Sequence, residues 1–175
     1  MKRAIKQVIK ARCQTEGGGF QIRRPLPVPG VGYIAPILMI DEMGPVDYLP
    51  GEAIGACIDT HTPIVYQHWI LQPAADIDQP LVENCNALLY VFAGGLVSNG
   101  EHLADGERGV LGKGDSNNLS VPAASTETTQ LLLLGGVPLG ESVVQHGPFV
   151  MNSQQEIDQA QQDYQQGLMG TIRHG

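Results

Sequence analysis

The 175 residues suit one domain of ordinary size, long enough to bury a core without help from disulfides or metal. The net charge of −8 is unevenly spread: residues 1–24 hold seven basic groups against Glu16, and the acidic remainder argues against general nucleic-acid binding. With 22 glycines and 12 prolines but no G-X-Y period, the composition excludes collagen and points to short strands joined by tight turns.

Residues 4–13 admit a strand or a short helix, because Ile5, Val8 and Ile9 satisfy helical spacing while Ile5, Gln7 and Ile9 alternate with Lys6, Val8 and Lys10. The basic groups of this leader suit an arm for a polyanion or, more plainly, the charged guard of an exposed edge strand. Gly17, Gly18 and Gly19 give a turn, and Phe20 opens an extended segment. Pro25, Pro27 and Pro29 lack backbone donors and mark a connection or an edge. The apolar run 34–40 predicts a short strand buried on both faces. Asp41 and Glu42 follow it, either as an acid–base pair or, more plainly, as turn caps.

Further strands are expected at 63–71, 87–92 and 130–134, with Gly-rich turns between the last two. This pattern predicts an antiparallel sandwich or barrel. One helix closes the series. Ser153 and Glu156 form a capping box, and Ile157, Ala160, Tyr164 and Leu168 make an apolar stripe that requires burial. Gly167 and Gly170 are its stop signals.

Cys13, Cys57 and Cys85 are odd in number and lack C-x-x-C spacing, which argues against a disulfide framework. The start lacks the apolar stretch of a signal peptide, and no apolar run approaches the roughly 18 residues of a membrane span. The expected location is the cytoplasm.

Two blocks of residues resemble the pirin family of the cupin superfamily. The first comprises Gly18-Gly19-Phe20, Arg23-Arg24-Pro25, the run from Ile40 to Tyr48, and Pro50-Gly51-Glu52. The second comprises Asn86 to Val91, Leu134-Gly135-Gly136, Pro138 to Glu141 and Gly147-Pro148-Phe149-Val150-Met151-Asn152. The resemblance implies an all-β, cupin-type (RmlC-like) jelly-roll β-barrel with a C-terminal helix. It implies pirin-like strands and a Pro/Gly-rich connection over 1–56, the barrel over 57–152, and helix and tail over 153–175, all in one folded unit. A pirin has two barrels, the first holding an iron-type metal on three histidines and a glutamate. Here Gly51 to Ala56 runs directly into Cys57, where the second barrel would start, so most of the first is missing with its ligands.

The general cupin pattern, laid on this chain, puts the ligand positions near Pro80, Val82 and Asn86 or Ala87, with Ser125 and Thr126 where a further histidine belongs. None can replace an imidazole or carboxylate ligand. His61 and His68 are the nearest histidine pair, but their odd separation puts them on opposite faces of a strand. Cys85 could meet Glu83 or His102 only through tertiary contact. His146 and His174 are expected to be surface or packing residues. No metal or other cofactor is therefore expected.

The leading expectation is a non-enzymatic binding or protein-interaction module. The alternatives are a metal-dependent quercetin 2,3-dioxygenase-like enzyme and a metal-free binder of a small apolar molecule. Candidate ligand contacts are His61, Tyr66, His68, Trp69 and Tyr90, with Phe92 beside them. A homodimer is also expected, since a chain with one barrel exposes a surface that a second barrel would cover.

Overall fold

The computed structural model describes residues 2–16, 20–30, 33–43 and 64–170. It divides into two compact units, Met1–Leu139 and Gly140–Gly175. Among the described residues, the first unit holds twelve strands: β1 (Ile5–Lys10), β2 (Arg12–Glu16), β3 (Phe20–Leu26), β4 (Ile40–Met43), β5 (Ile64–Leu71), β6 (Asp76–Pro80), β7 (Asn86–Ala93), β8 (Gly95–Ser98), β9 (Glu101–Ala104), β10 (Glu107–Leu111), β11 (Ser116–Ser120) and β12 (Thr129–Gly136). They form a five-stranded sheet ordered β1-β10-β7-β12-β5, a four-stranded sheet ordered β6-β11-β8-β9, and a three-stranded sheet ordered β2-β3-β4. Every pairing between these strands is antiparallel.

Period-two alternation explains how the five- and four-stranded sheets close on each other. Ala87, Leu89 and Val91 of β7 and Leu131 and Leu133 of β12 point to one side. There they meet Leu96, Leu103 and Leu119 from the opposite sheet in one buried cluster. The other face of β7 carries Leu88, Tyr90 and Phe92, and it is covered as well. Leu26 at the end of β3, Ile34, Ile37 and Ile40 pack onto it in a second cluster. The N-terminal segment therefore forms a third layer, outside the barrel.

One open alternative is decided here and one expectation changes. Residues 4–13 are extended, not helical, and β1 takes an edge of the five-stranded sheet with Lys6 and Lys10 exposed. The 34–40 run is not a strand. Ile34 and Ile37 exchange backbone hydrogen bonds of 3.2 and 2.8 Å in a tight loop, and β4 starts only at Ile40. Pro36, at the loop's centre, has no N–H to give a ladder.

Not all of the basic leader is surface. Arg3 is fully buried, and its guanidinium donates to the carbonyls of Gly114, Cys85, Val82 and Glu83 at 2.8, 3.0, 2.7 and 3.2 Å. Its backbone N–H donates to the Ser116 carbonyl at 2.8 Å. Four oxygen acceptors disperse the charge where no carboxylate stands among its described partners. The start of the chain is thereby bound to the β6–β7 and β10–β11 connections.

The second unit holds the antiparallel hairpin β13 (Val144–His146) and β14 (Phe149–Met151), followed by α1 (Gln154–Gln165), which packs on it. Ser153 is the N-cap, its Oγ accepting from the Glu156 N–H at 3.3 Å; the Glu156 carboxylate accepts from Ser153 Oγ at 2.8 Å and from the Asn152 N–H at 3.1 Å. The cap predicted from sequence is present. The apolar stripe is only half buried: Ile157 and Ala160 are inside, while Tyr164 and Leu168 are exposed. Tyr164 instead meets Phe149 edge-on, with ring centroids 6.0 Å apart.

At the β7–β8 corner the chain passes from one sheet to the other through Gly94. Its φ is +75°, and a Cβ there would lie 2.8 Å from the Thr128 carbonyl oxygen. Thr129 fixes the same corner, donating from Oγ1 to the Gly95 carbonyl at 2.7 Å. Gly94→Ala should therefore cost more than the about 1–2 kcal/mol of a left-handed alanine. Gly100→Ala, at φ +90° with open space around it, should cost no more than that. Urea unfolding of the two variants measures the difference, and equal losses would remove the steric argument.

Candidate functional site

Imidazole and carboxylate ligands on the inner face are what a cupin metal centre would need. The inner face here is mainly leucine, valine and alanine. Its buried polar groups satisfy one another. Asn117 Nδ2 donates to Ser98 Oγ at 3.0 Å, and Asn99 Nδ2 donates to Asn117 Oδ1 at 2.9 Å. No group of three or more His, Cys, Asp or Glu able to hold a metal occurs among the described residues. His68, His102 and His146 are exposed, and Cys85 is buried against the Arg3 guanidinium. Of the positions where a cupin ligand would fall, Val82 is exposed, Asn86 donates to the Ala35 carbonyl at 2.7 Å, and Ala87 is in the core. These residues do not fit an iron-type metal.

The outer face of β7 carries the polar network. Tyr90 is buried there, and its hydroxyl donates to Glu42 Oε2. Glu42 Oε1 accepts from Arg23 at 2.5 Å, and Arg23 also reaches Asp105 at 2.9 Å. Beside it Arg24 grips Asp41 through two parallel contacts of 2.6 Å. Asp41 and Glu42 are thus paired with arginines on a strand, neither turn caps nor a free acid–base couple. Burial, then the hydrogen bond to Glu42, pushes the Tyr90 hydroxyl well above its ordinary pKa. The Glu42 contact chiefly raises the Arg23 guanidinium above its ordinary value. The network fixes the N-terminal layer on the sheet and keeps Tyr90 protonated.

One strand away, Arg108 lies directly opposite Tyr90 across β10–β7 and is fully buried. None of its three guanidinium nitrogens has a hydrogen-bond partner among the described residues. Burial holds its pKa below the ordinary arginine value.

Among the described residues, two shallow clefts open on the first unit. One, of about 230 Å³, has Lys6, Lys113, Tyr33 and Asn86 around an apolar floor that includes Ile34 and Val110. Lys113 donates to Asn86 Oδ1 at 3.3 Å. Two ammonium groups over an apolar floor suit a small acidic molecule with an apolar body. The other cleft, of about 200 Å³, is lined by Gly94, Gly95, His102, Pro122 and Ser125 among others.

The sequence candidates do not converge on one pocket. His61 lies outside the described residues. Tyr66 and His68 stand exposed on the outer face of β5, and His68 meets Phe92 at 5.3 Å between ring centroids. Trp69 points to the other face, packs against the barrel core, and donates from Nε1 to Gln67 Oε1 at 3.2 Å. Tyr90 is buried under the N-terminal layer. Lys6, Tyr33, Asn86 and Lys113, which border the larger cleft, carry no local signature, because 80 residues separate Lys6 from Asn86.

Residues 66–170 match the model of the pirin C-terminal cupin domain. A pirin-like protein of Solanum lycopersicum is 39% identical over 131 residues, covering 73% of this chain and 45% of that protein. Human pirin is 34% identical, covering 73% of this chain and 46% of its own length. The crystal structure of quercetin 2,3-dioxygenase from Acinetobacter baumannii superposes with a TM-score of 0.60 at 25% identity, over 96% of this chain and 49% of that one. This chain spans about half the length of the curated relatives it matches. The likeness confirms the cupin-type fold expected from sequence.

Two expectations follow from the outer-face chemistry. A pKa raised in the folded state gives stability that is complete below the unfolded value and lost as pH rises towards the folded value. Wild-type protein should therefore lose stability above about pH 10, and Tyr90→Phe should lack that alkaline loss. At neutral pH the same variant should cost about 0.5–1.5 kcal/mol for the missing hydrogen bond. Parallel pH–melting curves for the two proteins would refute the link. Arg108→Met, by contrast, should stabilise by roughly 1–4 kcal/mol, since an apolar side chain of similar length replaces an uncompensated buried charge. A lower urea midpoint for this variant would show that the guanidinium has acceptors in solution.

Proposed function

Because the chain belongs to the pirin family, we propose that it acts as a pirin-like binding module, engaging a protein partner or a small molecule, and not as an oxygenase. What carries the reading is the packing between the two barrel sheets. Leu89, Val91, Leu131 and Leu133 take inward positions, and their neighbours fill the interior. A small ligand would find its place in the cleft between Lys6 and Lys113, with the acidic group at the lysines and the apolar body on Val110 and Ile34. The cytoplasm is the proposed location; among the described residues no helix is long and apolar enough to cross a membrane.

A second reading, a metal-dependent quercetin 2,3-dioxygenase-like enzyme, draws on the likeness to the Acinetobacter baumannii protein. Oxygen activation of that kind needs a metal held with an open coordination position, and the described residues offer no ligand set for one.

Elemental analysis of dialysed protein, with oxygen uptake in the presence of quercetin, separates the two. The binding reading expects no stoichiometric Fe, Mn, Ni or Cu and no uptake above background. One equivalent of metal together with quercetin-dependent uptake that chelation abolishes would establish the enzyme instead.

A further inference from the structure

Basic groups are scarce after the opening residues of the chain. Residues 25–175 hold three: Arg108, Lys113 and Arg173. Arg108 is fully buried, and Arg173 lies outside the described residues. Among the described residues from 25 onward, Lys113 is therefore the one exposed lysine or arginine. It borders the larger cleft, and Lys6 of β1 borders the same cleft. In a chain of net charge −8, two ammonium groups beside one apolar floor make a local island of positive charge.

Neighbouring groups position both lysines. Lys113 donates to Asn86 Oδ1 at 3.3 Å, and the Asn86 amide is itself fixed by donating to the Ala35 carbonyl at 2.7 Å. Lys6 depends on Gly112. A Cβ on Gly112 would lie 3.2 Å from Lys6 Cε, so the lysine stem runs directly over the bare glycine. The Gly112 N–H in turn donates to the Ala4 carbonyl at 2.7 Å. Given the binding function proposed above, we infer that Lys6 and Lys113 form the recognition site for a small monocarboxylate with a compact apolar body.

Charge and size select that class. A carboxylate accepts charge-assisted hydrogen bonds from the two ammonium groups, which are stronger than neutral ones. The floor is Ile34, Ala87 and Val110, and a polar group placed over it would lose water without gaining a partner. The rest of the ligand is therefore apolar. Inorganic phosphate carries oxygens on every side, and lysine lacks the fork with which arginine matches it. At about 230 Å³ the cleft is smaller than the roughly 300–1,000 Å³ that seats a drug-sized ligand, which limits the body to about one ring. Tyr33 at the border adds an aromatic surface for that ring.

Calorimetric titration with benzoate tests this, run on wild type, Lys6→Gln, Lys113→Gln and the control Lys10→Gln. Benzamide and inorganic phosphate are titrated in parallel. Lys6, Lys10 and Lys113 are all exposed, and circular dichroism checks that each variant folds. The expected result is saturable benzoate binding, equal in wild type and control. Each cleft variant should bind about tenfold more weakly, the loss of one charge-assisted contact. Benzamide and phosphate should bind wild type more weakly than benzoate does. Absence of saturable benzoate binding at millimolar concentration would overturn the inference. So would benzamide or phosphate binding as tight as benzoate, or benzoate binding that both folded cleft variants retain. Any of these in protein free of metal and of quercetin-dependent uptake would remove this site and leave the binding function to a protein partner. Stoichiometric metal with chelation-sensitive uptake would instead remove the binding function itself, whatever benzoate does.

Discussion

Strand β7 is buried on both faces, and much of the first unit is a consequence of that. Leu88, Leu89, Tyr90 and Val91 are each 1% exposed or less. A strand in this position needs one apolar layer on each side. The four-stranded sheet supplies the inner layer, and β3, β4 and the loop containing Ile34 and Ile37 supply the outer one. The outer layer is drawn from the opening residues of the chain, so the N-terminal segment is part of the core and not an arm.

Burying a polar ring edge and several basic groups in that layer creates an electrostatic problem, and three arginines meet it differently. Arg3 distributes its charge over backbone carbonyls. Arg23 takes the carboxylates of Glu42 and Asp105, and Glu42 also accepts the Tyr90 hydroxyl. Arg108 takes none among the described residues. The first two arrangements join segments distant in sequence and so specify the register of the N-terminal layer. The third spends stability without a visible return.

The same layering bears on function. Among the described residues the barrel interior is mainly leucine, valine and alanine, and Lys6 and Lys113 border a cleft on its outside. Membership of the pirin family accounts for the fold and for the shared strand and helix motifs. The ligand chemistry depends on particular side chains, and among the described residues those on the inner face are mainly apolar, with Ser98 and Asn117 hydrogen-bonded to each other.

Short apolar runs between turns, and a helix cap, made several elements legible in the sequence. The β5, β7 and β12 runs are apolar stretches of strand length set between turn residues, and Ser153 with Glu156 starts the helix through local hydrogen bonds. Family motifs added the barrel type. Where local pattern was ambiguous, tertiary contact decided. Residues 5–10 became a strand because β10 offered a ladder, and Pro36 made the 34–40 run a loop. Asp41 and Glu42 became ion-pair partners because β4 lies beside β3, which brings Arg24 and Arg23 to them. Tyr66 and Trp69 read alike as aromatic strand residues, yet they point to opposite faces, and only the layers around the sheet decide which face is wet. Composition and periodicity are local properties of the chain; which charges meet, and which apolar face is covered, depends on segments that sequence order keeps apart.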